Sequence, residues 1–357
     1  MAREICSALQ RRPSFLFIGA SKSGSSWFFE ILREHPQVFI PANKATFFFS
    51  DYYERGIAWY EAFFVKASRK SAIGEVCHDY LVKPEALRRI RAYQPDMRLV
   101  CCLRNPYARA LSSWRFFRRN GMDQPTLAAQ GEYDSSVFDQ GYYASQLSVL
   151  YSIFPKDQVI VFFFEELSAA PQSVARRLYE FIRVKSDFLP PSLYRRVNVN
   201  AKPRSRVVAR LVQYIHKESW KHSHYLSNLI GRIKQIRPLR RFVRATLYKE
   251  TVSSSDWREH IGEFPADIVS RYESEICGLE NMLEKDLSEW HAFPLKSADP
   301  ARVTSPSSDP PAQTERPSAA TVSNVVLHAK LRGRLDQAGA HSPAKAFEVT
   351  LTTPDEG

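Results

Sequence analysis

The stretch Phe15-Leu-Phe-Ile-Gly19-Ala-Ser-Lys22-Ser-Gly24-Ser25-Ser26-Trp27 decides the fold of this chain. Its first five residues form an apolar run with the length and composition of a buried parallel strand. A Gly/Ser turn follows, and apolar residues then recur at helical spacing, which predicts a helix that begins near Ser25 or Ser26. This order is typical of the anion-binding corner of α/β proteins, where backbone N–H groups and the helix dipole favour negative charge.

Strand and helix signals alternate along the following sequence. Further strands are predicted at 38–40, 72–75, 98–103 and 158–164, and helices at 54–65, 84–93, 106–119, 142–154, 171–182 and 266–283. Residues 121–133 are predicted to form a polar loop. Cys101 and Cys102 are neighbours in one strand and should point to opposite faces of the sheet. The alternation predicts a three-layer α/β/α domain with a central parallel sheet.

The chain has 357 residues, of which 44% are hydrophobic, enough for a sizeable core. Residues 13–292 are predicted to form one domain, after a flexible leader at 1–12. The Pro/Ser/Ala-rich residues 293–357 are predicted to be a disordered tail, with a helix at 325–334 as its only ordered element. No apolar run approaches the about 18 residues of a membrane span. Five cysteines without metal spacing favour a reduced, cytoplasmic compartment.

The net charge of +12 is concentrated in residues 202–249, named here the basic segment. This segment holds 13 basic residues and one acidic residue, so the rest of the chain is neutral. A diffuse positive field is therefore absent, and no specific nucleic-acid partner is predicted. The segment, with predicted helices at 205–216 and 228–236, has three interpretations: attraction of an anionic acceptor, peripheral contact with an acidic membrane surface, or a solvated helical face.

The Gly/Ser turn differs from the phosphate loop of nucleotide triphosphatases. Gly19 and Gly24 have the right spacing, but Ser25 stands where that loop requires lysine, and Lys22 lies inside the turn instead. No convincing acidic magnesium ligand stands at the strand ends, since Arg104 follows the strand at 98–103 and Glu165-Glu166 follow the strand at 158–164. These features predict metal-free transfer from an anionic donor. A nucleotide kinase or other phosphate-loop NTPase, and an ordinary turn with a solvated lysine, are the alternatives.

A second polar group follows the strand at 98–103. Arg104 comes directly after this strand, and Ser112 lies two turns into the next helix. If this strand neighbours the first one, a guanidinium and a hydroxyl lie in the same crevice as the Gly/Ser turn. The fork of arginine suits a dianionic phosphate, and a strand-end salt bridge is the alternative for Arg104. Arg109 is predicted as a charge on the helix surface.

Together the two motifs resemble the sulfotransferases that use 3′-phosphoadenosine 5′-phosphosulfate (PAPS). The loop from Lys22 to Trp27 is similar to that family's 5′-phosphosulfate loop, and Arg104 with Ser112 is similar to its 3′-phosphate site. Residues 44–49, 53–64 and 74–80 resemble the bacterial and heparan-sulfate-type branch. Residues 198–206 resemble a later loop of the family that closes over the donor. The similarity spans residues 15–290 and implies the phosphate-loop-like sulfotransferase fold.

The resemblance implies roles for the donor residues. Lys22 would stabilise the bridging oxygen as it becomes a phosphate anion, and the loop residues Ser23, Gly24, Ser25 and Ser26 would supply donors to the 5′ side. Trp27 matches an adenine-stacking aromatic, with core packing as an equal alternative. Arg104 and Ser112 would bind the 3′-phosphate. Lys202 and Arg204 would close over the nucleotide, or simply begin a basic helix.

The resemblance also leaves the general base open. The heparan-sulfate branch commonly carries glutamate directly after the lysine equivalent to Lys44, and this chain has Ala45. Glu75 and His78 are the nearest catalytic candidates, because histidine is a suitable base near neutral pH. Glu75 has the alternative of holding Lys22 or Lys44, and His78 that of a structural loop residue. Lys44 is predicted to contact the sulfo group or an acidic acceptor, with a surface lysine as the alternative.

The predicted activity is transfer of a sulfo group from PAPS to a hydroxyl or amine of a carbohydrate or small metabolite. Sugars, lipid-linked sugars, phenols and small alcohols all fit as acceptors, and the sequence predicts no oligomeric state. A different class of function is a non-catalytic binder of anionic polymers or membrane surfaces through the basic segment. That function predicts a steep dependence on salt and no response to nucleotide.

Overall fold

Five parallel strands form the central sheet of the computed structural model. They are β1 (Phe15–Gly19), β2 (Val38–Phe39), β3 (Ala72–Val76), β4 (Arg98–Leu103) and β5 (Val159–Phe163). Their order is β2-β3-β1-β4-β5, and every neighbouring pair is parallel. The first strand therefore lies at the centre, between β3 and β4. The predicted parallel sheet is confirmed, and the carboxyl ends of β1, β3 and β4 meet at one edge.

The structure describes residues 12–67, 70–119, 124–195, 201–203, 248–250 and 256–293. The predicted leader up to residue 11, the predicted helices of the basic segment and the predicted tail from residue 294 lie outside these residues. The described helices are α1 (Ser25–Glu34), α2 (Ile57–Glu61), α3 (Pro84–Tyr93), α4 (Pro106–Arg119), α5 (Leu127–Tyr133), α6 (Ser136–Asp139), α7 (Tyr143–Ile153), α8 (Glu166–Ala169), α9 (Pro171–Phe181) and α10 (Ala266–Leu283).

The core is divided between the two faces of the sheet because strand side chains alternate. Phe15 and Phe17 of β1 pack in one cluster with α1 and α9, whereas Leu16 and Ile18 pack in the other with α3, α4, α7 and α10. Cys101 and Cys102 of β4 separate in the same way, as predicted. Each face is thus covered by helices, which makes the domain three-layered. Among the described helices, none combines the length and apolar composition that crossing a bilayer requires.

Two predicted elements differ in the structure. The loop predicted at 121–133 contains helix α5, which begins because the side chain of Thr126 accepts a hydrogen bond from the N–H of Ala129 and because Leu127 is buried. The helix predicted at 54–65 is interrupted at Gly56, whose φ of 79° is incompatible with a continuous helix. It is replaced by 3₁₀ turns Tyr53–Arg55 and Ala62–Phe64 around α2.

The two ends of the basic segment lie side by side. Strands β6 (Ala201–Pro203) and β7 (Tyr248–Glu250) form an antiparallel pair in which Lys202 is the register partner of Lys249. The 44 residues between the two strands, 204–247, are outside the described part of the chain. The chain therefore leaves this pair and returns to it at the same place.

Candidate active site

The loop between β1 and α1 has a fixed, tight shape. Lys22 and Gly24 both lie in the left-handed region, with φ of 67° and 89°, and Gly24 precedes the first residue of α1. A Cβ on Gly24 would lie 2.4 Å from a methyl carbon of Leu167. This position therefore requires glycine both for its positive φ and for the close approach of Leu167. Ser25 and Ser26 thus begin the helix, where backbone N–H groups without intrahelical partners favour an anion.

Arg104 joins the second motif to this loop. Because β4 pairs with β1, the residue after β4 reaches the loop, and its Nη1 donates a hydrogen bond to the carbonyl of Lys22 at 3.3 Å. The guanidinium also lies 4.4 Å above the ring of Phe164. Ser112 is half-buried in the second turn of α4. The two predicted motifs therefore share the same edge of the sheet.

The side chain of Lys44 contacts the first two residues of α1. Its Nζ donates hydrogen bonds to the hydroxyl oxygens of Ser25 at 2.9 Å and Ser26 at 2.7 Å. Burial lowers the pKa of Lys44 to about 8, although Cys77 and Glu30 act in the opposite direction. The residue predicted to touch the sulfo group or the acceptor is thus a third cation at the loop after β1, beside Lys22 and Arg104.

Lys22 is accompanied by an aromatic residue that sequence reasoning missed. Its Nζ lies 4.5 Å from the centre of the Phe116 ring, which is 39% exposed. Phe116 follows Ser112 by four residues, so both lie on one face of α4. That spacing was the available signal, because a helix that presents Ser112 to the loop also presents Phe116. Ser23, by contrast, is fully buried.

Glu75 is a buried carboxylate with a structural role in the fold, and its predicted catalytic role stays a prediction. Its Oε1 accepts hydrogen bonds from the N–H and the hydroxyl of Thr46, at 2.6 and 2.7 Å, and its Oε2 accepts one from Tyr60 at 3.0 Å. Burial raises the pKa of Glu75, and these hydrogen bonds oppose the rise. The side chain is 0% exposed, and its hydrogen bonds to Thr46 hold the segment that follows Lys44.

His78 lies among the cations of the site. Burial, and then the positive charges of Lys44 and Lys22, lower its pKa to about 3, with Lys83 contributing less. Its Nδ1 is buried and has no hydrogen-bond partner among the described atoms. The ring packs edge-on against Phe47 at 5.6 Å. The imidazole is therefore neutral at ordinary pH and keeps a free capacity for one hydrogen bond or proton.

Trp27 takes the core-packing alternative in this structure. It is 7% exposed, packs perpendicular to Phe28, and its Nε1 donates to the carbonyl of Leu193 at 2.9 Å. Its predicted adenine stacking stays a prediction. Lys202 lies on β6, but its side chain is outside the described part of the structure, and Arg204 is outside it altogether.

Arg109 is fully buried, so its predicted position on the helix surface was wrong. One of its terminal nitrogens, Nη2, donates to the carbonyl of Val137, while Nε and Nη1 have no hydrogen-bond partner among the described atoms. The residue faces inward because α6 and Tyr272 of α10 cover this side of α4. Arginine is rarely fully buried, so its residue type favoured an exposed position on the helix.

Comparisons with known proteins identify the family of this chain. A family model described as the sulfotransferase domain matches residues 12–265. The chain is 30% identical over 184 residues to human heparan sulfate glucosamine 3-O-sulfotransferase 6, over 49% of this chain and 54% of the relative. It is 32% identical over 107 residues to the membrane-associated sulfotransferase kil1 of Dictyostelium discoideum, over 29% of this chain and 23% of that one. The chain spans at most about half the length of these relatives.

A solved structure supports the same fold. The crystal structure of a sulfotransferase from Alicyclobacillus acidocaldarius superimposes with a TM-score of 0.55 at 21% identity, over 78% of this chain and 99% of that one. The predicted α/β fold is thereby confirmed.

Proposed function

Because the chain belongs to the sulfotransferase domain family, we propose that it transfers a sulfo group from PAPS to a hydroxyl or amine of a carbohydrate acceptor. One observation carries the proposal: the hydrogen bond from Arg104 to the carbonyl of Lys22 joins the two donor motifs at one edge of the sheet. A phosphate-loop NTPase is disfavoured, since Ser25 stands where its lysine would be.

The residues present fit an anionic donor. Lys22, Lys44 and Arg104 supply three cations around a loop at a helix N-terminus. Lys22 and Lys44, with the hydroxyls of Ser25 and Ser26, would bind the 5′-phosphosulfate. Arg104 and Ser112, named here the donor corner, would bind the 3′-phosphate. PAPS supplies an activated sulfo group when bound, and the protein orients it and neutralises charge.

The transfer requires one bond to form and one to break. The acceptor oxygen or nitrogen forms a bond to sulfur, while the bond from sulfur to the bridging oxygen breaks and 3′-phosphoadenosine 5′-phosphate (PAP) leaves. Lys22 and Lys44 are suited to stabilise the negative charge that develops on that oxygen. The acceptor must also lose a proton to a base, because the hydroxyl oxygen or amine nitrogen that forms the new bond to sulfur still carries its hydrogen.

His78 is our proposed base. The position after Lys44 is occupied by the buried Ala45, and Glu75 is enclosed by hydrogen bonds, whereas Nδ1 of His78 has no partner among the described atoms. Its low pKa in the free protein arises partly from neighbouring lysines. The negative charge of a bound donor would offset those lysines and raise this pKa, which makes the imidazole a better base in the complex.

The acceptor class is proposed from the relatives and from the surroundings of Lys22. The human relative is named for the glucosamine of heparan sulfate. Beside Lys22, the partly exposed ring of Phe116 offers an apolar surface for a sugar ring. Metal-independent transfer, a cytoplasmic location and peripheral membrane contact through the basic segment stay predictions.

The test combines binding and turnover. Thermal unfolding is measured with PAP, with ADP, and with ATP plus magnesium. We expect PAP alone, with EDTA present, to raise Tm by about 5 °C at a concentration about 100 times its Kd. Turnover is then followed with ³⁵S-labelled PAPS against a glucosamine-containing oligosaccharide, a phenol and a small alcohol. Absence of any PAP effect would refute the donor site, and labelling of the phenol alone would refute the carbohydrate acceptor.

A further inference from the structure

The last described residues of the domain are held by a buried imidazole. His291 is 3% exposed, and its Nδ1 lies 2.6 Å from a carboxylate oxygen of Glu273, while its Nε2 lies 3.3 Å from one of Glu280. Both glutamates belong to α10 and are spaced by seven residues, so they lie on one face of the helix. We name His291, Glu273 and Glu280 the C-terminal clasp.

The clasp is reinforced by the backbone of the same segment. The N–H of Ala292 donates to Glu273 at 2.9 Å, and the N–H of Leu287 donates to Glu280 at 2.9 Å. Both carboxylates therefore bind the backbone and the imidazole of residues 287–292. A partly buried network in which each member has hydrogen-bond partners favours a single arrangement of the chain.

The segment held by the clasp contacts the residue that follows Arg104. The side-chain Nδ2 of Asn105 donates a hydrogen bond to the carbonyl of Trp290 at 3.1 Å, and this contact is buried. The side-chain Oδ1 of Asn105 accepts from the N–H of Ala108 at 3.0 Å, and so caps the first turn of α4. One amide thus joins the end of β4, the start of α4 and the C-terminal segment.

A second connection runs through Glu273 itself. The hydroxyl of Tyr107, in the first turn of α4, donates to Glu273 at 2.7 Å. The ring of Trp290 packs against Phe163 of β5 and against Tyr143 of α7. The clasp therefore reaches the start of α4 by two routes, one through Tyr107 and one through Asn105. Within the described part of the chain, its hydrogen bonds go to residues other than Lys22, Arg104 and Ser112.

We propose that the C-terminal clasp is a positioning device for the donor corner: it holds the carbonyl of Trp290 against Asn105 and so fixes the turn that orients Arg104 and Ser112. This inference rests on the proposed function, since it needs the 3′-phosphate to bind at Arg104 and Ser112. It predicts that the clasp determines affinity for the 3′-phosphate in particular. Groups at the other end of the nucleotide, bound by the loop after β1, should be little affected.

The experiment compares two nucleotides that differ only in the 3′-phosphate. Kd for PAP and for AMP is measured by calorimetry on the full chain and on the variants His291→Gln, Asn105→Asp and both together. Asn105→Asp keeps the oxygen that caps α4 but loses the donor to Trp290. His260→Gln is the matched control, because His260 also pairs with a glutamate at 2.6 Å, in the turn Trp257–Glu263.

We expect His291→Gln to weaken PAP binding about tenfold and AMP binding less than about twofold. The tenfold loss corresponds to the loss of one charge-assisted hydrogen bond between His291 and the glutamates of α10. His260→Gln should change neither. In the Asn105→Asp background, His291→Gln should add less than about twofold, because the contact between Asn105 and Trp290, on which the proposal depends, is already lost while that of Tyr107 with Glu273 remains. Where His291→Gln does not fold, Asn105→Asp alone decides, with the same expected loss of PAP affinity.

Several outcomes would overturn the inference. Equal losses for PAP and AMP, or additive losses in the double variant, would show a general structural effect. PAP binding that needs zinc after EDTA treatment would instead indicate an ion among Cys277, Glu280 and His291, whose donor atoms lie within 4.8 Å of one another. Arg104→Ala distinguishes failure of the proposed donor site from failure of the clasp proposal. If both Arg104→Ala and His291→Gln leave PAP affinity unchanged, the proposed donor site is wrong. If Arg104→Ala lowers PAP affinity and His291→Gln does not, only the role of the clasp is rejected.

Discussion

The Nζ of Lys44 lies 2.7 Å from the hydroxyl oxygen of Ser26, so a lysine from the segment after β2 completes the loop after β1. Burial places the pKa of Lys44 near 8, within the range of ordinary assays. The protonated form attracts an anionic donor, whereas above this pKa binding must take up a proton. Donor affinity should therefore be constant below about pH 8 and fall above it.

The expected fall in PAP affinity is at most about tenfold per pH unit between pH 8 and 9.5, the slope for uptake of one proton. Calorimetric Kd values across pH 7–9.5 measure it. Lys44→Arg is the control, because arginine keeps its charge throughout this range and should give a flat profile. An unchanged slope in that variant would assign the titration to another group.

Lys22 and Arg104 should separate chemistry from binding. Lys22→Ala is expected to lower kcat by about 10²–10³ with a smaller change in Kd for PAP, because its charge acts mainly on the leaving oxygen. Arg104→Ala should raise Kd for PAP by about tenfold to a hundredfold, since it loses a bidentate contact with a dianion. Single-turnover rates at saturating PAPS make the comparison. Full rate in Lys22→Ala would remove its catalytic assignment.

His78 should matter for turnover and not for donor affinity. His78→Gln is expected to lower kcat by about 10²–10⁴, the usual contribution of a general base, with Kd for PAP changed less than about threefold. Because the pKa of His78 is about 3 in the free protein, its protonation should leave no acidic limb in kcat/KM between pH 5 and 7. The proposed base is rejected if His78→Gln retains more than about half of the wild-type kcat.

Glu75 should matter for stability. Glu75→Gln replaces a buried acceptor of several hydrogen bonds, so the free energy of unfolding should fall by about 1–3 kcal/mol. Chemical denaturation measures the loss. At temperatures well below its Tm the variant should keep kcat within about threefold, which contrasts with His78→Gln. A kcat loss as deep as that of His78→Gln, in a folded protein, would restore Glu75 as a catalytic candidate.

The sheet and the donor motifs could be predicted because they depend on local patterns. Apolar runs marked β1, β4 and β5, and a glycine-rich turn before a helix marked the loop. The partner of Lys44 could not be predicted, since Ser25 and Ser26 lie 18 or more residues earlier in sequence and meet it only through the fold. The burial of Arg109 was missed because its environment is set by α6 and α10, and the helix α5 was missed because it depends on one capping threonine.

The pairing of Lys202 with Lys249 brings the two ends of the basic segment together. Because Pro203 and Tyr248 are register partners on adjacent antiparallel strands, a two-residue hairpin is long enough to connect them. A chain connected in this way would lack most of the net positive charge, since that charge lies in residues 204–247. The isoelectric point of about 9.5 is therefore set largely by residues that lie outside the two motifs at 22–27 and 104–112.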